Sequence, residues 1–311
     1  MQLVAYGAQD VYLTGNPQIT FFKVVYRRHT NFSMESIEQV FNGTPNFGKK
    51  VSCTISRNGD LAYKTYIQVT LPEINADNWN TVSKIRWTPW VGHALIDWVE
   101  IEIGGQSIDK HYGDWLHIWN ELSQPIGNQV GYANMLGNVP KMTLFPAAIS
   151  TGSSFLPDAD DPATYNETPQ TTLYIPLEFW FCKNPGLALP LIALQYHEIK
   201  INVKFNPLSN LLDAQISDDL EGSAFSSVSS SVMTTLTNAL SMTNASLYVD
   251  YIYLDTDERR RFAQVSHEYL IEQLQFQKFS SSTDMKLNFN HPVKELIWTD
   301  SPSTTTNFVD V

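Results

Sequence analysis

Residues 197–205 read HEIKINVKF, and polar and apolar side chains alternate strictly from Glu198 to Phe205. A period of two predicts a β-strand with one buried and one solvent-facing side. The same alternation recurs at residues 65–71 and 99–103. Strands of this kind are typical of antiparallel sheets with a single covered face. The sequence therefore indicates an all-β fold.

Other segments extend this prediction. Residues 173–182 are apolar at every odd position, and the even positions include Tyr174, Glu178 and Trp180, which predicts a strand buried on both sides. Two turn signals, Asn58-Gly59-Asp60 and Gly104-Gly105, lie between alternating runs and predict hairpins. The apolar spacing of residues 115–122, after Asp114 as N-cap, predicts a helix, and residues 257–262 predict a second short one.

Composition excludes several classes of protein. The chain has 311 residues, 43% of them hydrophobic, which is enough for sizeable cores and rules out a disordered protein. A net charge of −12 repels phosphate backbones, so we expect no direct binding of nucleic acid. Only two cysteines are present, without CxxC spacing, which argues against a disulfide scaffold or structural zinc. The longest apolar stretch, residues 186–194, is far shorter than the ~20 residues of a membrane span.

Candidate chemical sites are few, and each has a structural explanation. Glu100 and Glu102 share a strand face, but any solvent-facing side of a strand gives that spacing. His93, Asp109, His111 and His117 could be imagined as a metal cluster, although no ligand motif supports it. No nucleophile elbow or phosphate-binding glycine motif is present. We therefore expect no catalytic residues, no cofactor and no metal.

At this level two classes of function stay open. One is a structural shell or assembly protein. The other is a carbohydrate-binding β-sandwich in which some of the eight tryptophans stack on sugars.

A resemblance to a known family separates these classes. Residues 2–28, which begin QLVAYGAQDVYLTGNPQITFFK, closely resemble the start of the major capsid proteins of nucleocytoplasmic large DNA viruses. Those of large algal viruses are the most similar in appearance. Similar blocks follow in the family's order, at residues 56–61, 103–112, 185–198, 249–255, 267–276 and 288–292.

The resemblance implies tandem double jelly-roll β-sandwiches and no enzymatic activity. It implies a homotrimer that forms a pseudo-hexagonal capsomer and tiles an icosahedral shell beside neighbouring capsomers and minor capsid proteins. The protein is then made in the host cytoplasm and located in the virion, where contact with an internal membrane is conceivable without a transmembrane segment. The family pattern also implies an N-terminal arm at the capsomer base, with Tyr6, Tyr12, Phe21 and Phe22 as its anchors.

The expected division of the chain has four parts. They are an arm at 1–25, a first jelly roll at 26–206, a Ser/Thr-rich linker or loop at 207–246, and a second jelly roll at 247–311. The last part has alternating runs for only four strands, at 247–253, 270–276, 287–289 and 296–298. We therefore expect the second jelly roll to be incomplete in this chain and the chain to be a fragment. The alternatives are that another chain supplies the missing strands or that the family fold is modified.

Overall fold

The computed structural model describes residues 30–74, 84–144, 168–215, 239–278 and 286–299. Within these residues the strands are β1 (Phe32–Val40), β2 (Lys50–Thr54), β3 (Leu61–Leu71), β4 (Lys84–Trp87), β5 (Ile96–Ile103), β6 (Gln106–Tyr112), β7 (Thr171–Pro176), β8 (Leu189–Pro190), β9 (Ile199–Phe205), β10 (Leu212–Gln215) and β11 (Asn244–Leu254). The helices are α1 (Val91–Ala94), α2 (Gly113–Ser123), α3 (Ile126–Met135), α4 (Pro140–Thr143), α5 (Trp180–Lys183) and α6 (Thr256–Gln264).

Two antiparallel sheets form a sandwich. One has the strand order β1-β11-β3-β7, with β8 also paired to β3, and the other has the order β2-β9-β5-β6. A small sheet of β4 and β10 lies beside them. The inward residues of both sheets are fully buried in one core, to which Ile67, Val69, Ile101, Ile201 and Val203 belong. Each such side chain stabilises the fold by about 1.5–3 kcal/mol relative to exposure.

The period-two predictions at 65–71, 99–103 and 197–205 are confirmed by β3, β5 and β9. The Gly104-Gly105 hairpin is also confirmed, since it joins the paired strands β5 and β6. Both glycines have positive φ, 59° and 84°, as a tight two-residue hairpin loop requires.

The turn at Asn58-Gly59-Asp60 is not a hairpin. It carries the chain from β2 in one sheet to β3 in the other. A Cβ added at Gly59 would lie 2.7 Å from Cβ of Tyr251, so the turn passes too close to β11 for any other residue. The local signal marked a turn correctly, but it carried no information about the sheet of the next strand.

The strand predicted over 173–182 is shorter than expected. β7 ends at Pro176, and residues 180–183 form the helical turn α5. Trp180, Phe181 and Cys182 are buried there, because the turn directs all three side chains into the core. The two predicted helices are confirmed as α2 and α6, although α2 begins at Gly113 and Asp114 lies inside it.

The segment 247–254 does not lie in a second jelly roll as predicted. It belongs to β11, which pairs with β1 on one side and β3 on the other, inside the first sandwich. Alternation indicates which side of a strand is buried, whereas the partner strand depends on long-range contacts. Among the described residues after β11, the predicted strands at 270–276, 287–289 and 296–298 form no backbone ladder. The other boundaries of the four-part division, at residues 25 and 206, stay predictions.

One buried carboxylate fixes the end of β11. Asp60 accepts hydrogen bonds from the backbone N–H of Leu254 at 2.8 Å and from Nη2 of Arg259 at 2.9 Å. Arg259 lies on α6, whose first turn is capped by the side chain of Asp255. The residue after the Asn58-Gly59 turn therefore holds α6 against the sandwich.

Gly113 provides a test of the packing at the start of α2. A Cβ there would lie 2.3 Å from the carbonyl oxygen of Ile96 and 2.4 Å from that of His93, both backbone atoms. We expect Gly113→Ala to lower the free energy of unfolding by about 3 kcal/mol or more. The matched control is Gly127→Ala in α3, where a Cβ meets nothing within 4 Å. Urea unfolding followed by circular dichroism measures both, and equal stability of the two variants would contradict this account.

Candidate assembly surfaces

The helices α2 and α3 form an excursion between β6 and β7, and two contacts anchor it to the sandwich. Tyr132 of α3 is buried, and its Oη lies 2.9 Å from Nε2 of the fully buried His93. The backbone N–H of Gly92 donates to the carbonyl of Leu136 at 3.1 Å, just after α3 ends. A Cβ at Gly92 would lie 2.7 Å from the side chain of Leu136. α3 is therefore held rigidly against α1.

The anchor is electrically neutral. Burial, with a smaller effect of the neighbouring His117, lowers the pKa of His93 from 6.5 to about 3. Burial also raises the pKa of Tyr132 well above its usual range. Both rings are therefore uncharged near neutral pH, and a single hydrogen bond joins them in the core.

The outer side of this excursion is uncharged and exposes several large apolar side chains. Ile126 and Val130 of α3 are 86% and 73% exposed, and Leu122 at the end of α2 is 64% exposed. No charged residue occurs from residue 122 to residue 140. Depletion of charge together with exposed apolar side chains is typical of the core of a protein–protein interface. We call the surface formed by Leu122, Ile126, Gly127, Val130 and Gly131 the helical face.

A second candidate surface is the outer side of the five-stranded sheet. Tyr66 of β3 lies opposite Tyr248 of β11, and Tyr174 of β7 projects from the same side. Gln68 connects neighbouring strands, since its Nε2 donates to Oη of Tyr174 at 3.0 Å and its Oε1 accepts from Oγ of Ser246 at 3.2 Å. Burial raises the pKa of Tyr66 to about 12, so this surface presents neutral phenols.

The outer side of the four-stranded sheet has a different character. The Nζ atoms of Lys110 and Lys50 lie 4.2 and 4.9 Å from the centroid of the Trp98 ring. Lys204 pairs with Asp97 at 2.6 Å. Cations over an aromatic ring and surface ion pairs are compatible with a hydrated surface, where each contributes at most about 1 kcal/mol.

Past α6 the chain is extended along the edge of this sheet. Nε2 of Gln273 donates to the carbonyl of Ile108 at 2.6 Å, and the N–H of Leu274 donates to Oδ1 of Asp109 at 3.1 Å. The ring of Phe276 packs 5.1 Å from that of Tyr112. The segment thus follows β6, the last strand of its sheet among the described residues.

Side chains join this segment to the one at 286–299. Gln277 both donates to the carbonyl of Asn288 at 2.6 Å and accepts from its N–H at 3.3 Å, and Gln275 accepts from the N–H of Asn290 at 3.1 Å. Glu272 also pairs with Lys294. The two segments run antiparallel but are bridged by glutamines instead of by backbone hydrogen bonds. Several of their large apolar side chains are exposed, namely Leu270, Phe276, Leu287, Val293, Leu296 and Trp298.

The sequence-predicted residues fall in different places. Tyr6, Tyr12, Phe21 and Phe22 lie outside the described residues. Glu100 accepts from Ser107 at 2.6 Å and Glu102 accepts from Asn202 at 3.2 Å, so each carboxylate serves the surface of its own sheet.

The four residues of the imagined metal cluster form two separate pairs. Asp109 lies 2.9 Å from Nε2 of His111, whose ring stacks on Phe179, and the rings of His93 and His117 lie 5.6 Å apart. In the described part of the chain, no group of three or more His, Cys, Asp or Glu side chains is arranged to hold a metal ion.

Sequence reasoning missed the helical face. The signal was available, because Leu122, Ile126 and Val130 recur every four residues within a run that has no charge. That pattern predicts an apolar helix side, but it does not distinguish a side that packs on the chain's own core from one that is left exposed.

Two family models of viral capsid proteins match consecutive parts of the chain. Residues 20–255 match the family described as "Major capsid protein N-terminus". Residues 258–310 match the family described as "Large eukaryotic DNA virus major capsid protein".

Individual relatives are similar over nearly the full chain. The chain is 56% identical to the major capsid protein of Pyramimonas orientalis virus, over 97% of this chain and 65% of that protein. It is 52% identical to capsid protein 1 of Acanthamoeba polyphaga mimivirus, over 96% of this chain and 48% of that protein. The chain thus spans about half to two thirds of the length of these relatives.

Solved structures agree with the sequence comparison. The PBCV-1 virus capsid structure matches 88% of this chain and 57% of its own chain, with a TM-score of 0.58 and 37% identity. The Faustovirus major capsid protein matches 83% of this chain and 60% of its own chain, with a TM-score of 0.52, and at 14% identity this likeness concerns the fold alone.

The His93 anchor predicts an acid-sensitive fold. The pKa of His93 is lower in the folded than in the unfolded chain, so unfolding takes up a proton once the pH falls below about 6.5. We expect this group to reduce the free energy of unfolding by about 1.4 kcal/mol per pH unit between pH 6.5 and pH 3.

The control for this prediction is His93→Gln, which keeps a hydrogen-bonding group near Tyr132 but does not titrate. Urea unfolding of both proteins at several pH values measures the effect. The variant should show a shallower loss of stability with acid than the natural chain, and parallel curves would refute the role of His93.

Proposed function

The chain belongs to the family of major capsid proteins of large eukaryotic DNA viruses, and we propose from this premise that it is a structural subunit of an icosahedral viral shell. The observation that carries the proposal is the family match across residues 20–255 and 258–310, together with 52–56% identity to proteins named as capsid proteins. Location in the virion shell follows from the same relatives.

The predicted fold class is confirmed at the level of an all-β protein of the double jelly-roll capsid type. The incompleteness of the second jelly roll stays a prediction. The carbohydrate-binding alternative has no support among these relatives, all of which are named as capsid proteins.

In this proposal the protein works by association and performs no reaction. Three copies form a capsomer, and capsomers contact one another and minor capsid proteins to tile the shell. The driving force is apolar area removed from water, about 25 cal/mol per Å² before the entropic cost of association. Among the described residues, the exposed apolar side chains of the helical face and of the segments 270–278 and 286–298 supply part of this area.

Charge sets the conditions for this association. Copies that each carry a net charge of −12 repel one another, and salt screens this repulsion over about 8–10 Å at physiological ionic strength. An acidic subunit also avoids binding the packaged nucleic acid directly. None of the described helices is long and apolar enough to cross a bilayer.

Native mass spectrometry tests the oligomeric state. We expect the protein taken from its natural source to give a trimer with three times the mass of its denatured subunit, in equilibrium with monomer on dilution. Raising the salt concentration should shift this equilibrium toward the trimer, because screening weakens the repulsion between acidic copies. A monomer at every protein and salt concentration would reject the proposed function for this chain.

The N-terminal arm gives a second test. We expect deletion of residues 1–20 to leave trimers intact but to impair formation of shells or sheets of capsomers, seen by electron microscopy. Phe21→Ser/Phe22→Ser should have the same effect, since both rings are proposed anchors of the arm. Phe32→Ser, which changes an exposed ring on β1, is the matched control. Normal assembly by the deletion would exclude a role for the arm.

A further inference from the structure

We propose that the helical face is the surface through which one copy of this chain binds the next copy in the capsomer. This inference rests on the proposed function, because it assumes that copies associate, and it names the residues that do so. Within the described residues, three features of α3 support it: its orientation, its glycines and its lack of charge.

The orientation of α3 exposes one side completely. Successive residues of an α-helix are about 100° apart, so Ile126, Val130, Gly127 and Gly131 fall within one arc, centred opposite the buried Tyr132. Tyr132 is itself fixed by His93. The arc is therefore presented by a helix that is anchored in the core, which reduces the entropy lost when a partner binds.

Among the described residues, neither close packing nor a positive φ requires the glycines of this arc. A Cβ added at Gly127 or Gly131 would meet nothing within 4 Å, and neither residue has a positive φ. Glycine inside a helix costs about 1 kcal/mol relative to alanine. By contrast, Gly92 and Gly113 are required by close contacts inside the fold. Because residues 127 and 131 have no side chains, the helix backbone beside Ile126 and Val130 is open to close approach by a neighbouring element.

The absence of charge indicates that the occupant is a second copy of the chain. Copies with a net charge of −12 approach at lower cost where the contact has few carboxylates, and residues 122–140 provide one uncharged side of such a contact. A basic partner protein would instead gain from carboxylates, which this surface lacks. The tyrosine-rich side of the five-stranded sheet is less suitable, because Glu38 lies directly opposite Tyr248 and Asp250 lies beside it.

The symmetry of a ring defines the type of contact. In a closed ring of three copies each interface is heterologous, so the helical face of one copy meets a different surface of the next. Substitutions on the helical face therefore weaken all three interfaces of the ring together, and the loss of association should be cooperative.

The first test is Gly131→Gln, which places an uncharged, helix-favouring side chain over this open backbone. Because the site is open within the monomer and glutamine forms helix better than glycine, we expect the melting temperature to stay the same or to rise. We expect the trimer of the variant to dissociate at a protein concentration at least tenfold higher than the trimer of the natural chain does. The matched control is Ala263→Gln on the exposed side of α6, which should not change association.

The second test measures protection of the face directly. Cys53 and Cys182 are buried, and burial raises their thiol pKa values to about 11 and about 12, so neither reacts readily with maleimide. A cysteine introduced by Val130→Cys should be labelled at least tenfold more slowly in the trimer than in the diluted monomer. Tyr196→Cys, at a site that is 94% exposed and next to His197 and Glu198, should be labelled equally fast in both states.

The outcomes separate this inference from the proposed function. A stable natural trimer in which Gly131→Gln associates normally and Val130→Cys is labelled rapidly would overturn the helical face as the contact and leave the capsid proposal standing. A natural chain that never associates would overturn both. Weakened association of Gly131→Gln with an undiminished melting temperature, together with protection of Val130→Cys, would establish the helical face as the contact.

Discussion

The sandwich depends on the pairing of β11 with strands that precede it by up to about two hundred residues. β11 lies between β1 and β3 and forms backbone hydrogen bonds with both strands. Without β11, β1 would have no partner strand in this sheet. Its inward residues Leu247, Val249 and Tyr251 are fully buried. Asp60, by holding Leu254 and Arg259, fixes the point where the chain leaves this strand. Such distant pairing carries a large loop-closure entropy, which only the completed core offsets.

The sequence predicted the local features of this fold well, because each has a short-range physical signal. Alternation at 199–205 and paired glycines at 104–105 determine a strand side and a turn geometry that need no distant contact. The place of β11, the end of β7 at Pro176 and the passage at Asn58-Gly59 between sheets were not predicted, because each depends on residues far away in the chain. The N-terminal arm anchors came from resemblance, and they lie outside the described residues.

For the candidate surfaces too, the sequence pattern predicted part of the result and the three-dimensional structure was needed for the rest. The spacing of Leu122, Ile126 and Val130 indicated an apolar helix side, yet only the burial of Tyr132 against His93 shows that this side points away from the core. The neutral anchor beneath the helical face and the uncharged surface above it suit the proposed association of acidic copies. In that proposal, one side of a short helix stabilises the fold and the other side contacts the next copy.

The position of β11 also shapes how the protein is made. A ribosome adds roughly 5–20 residues per second, so on the order of ten to forty seconds separate the synthesis of β3 from that of β11. During this interval β1 and β3 have no central strand between them, and their apolar sides are open to other nascent chains on the same messenger. A protein produced in large numbers of copies would then benefit from chaperones that bind the nascent chain until Leu254 has left the exit tunnel.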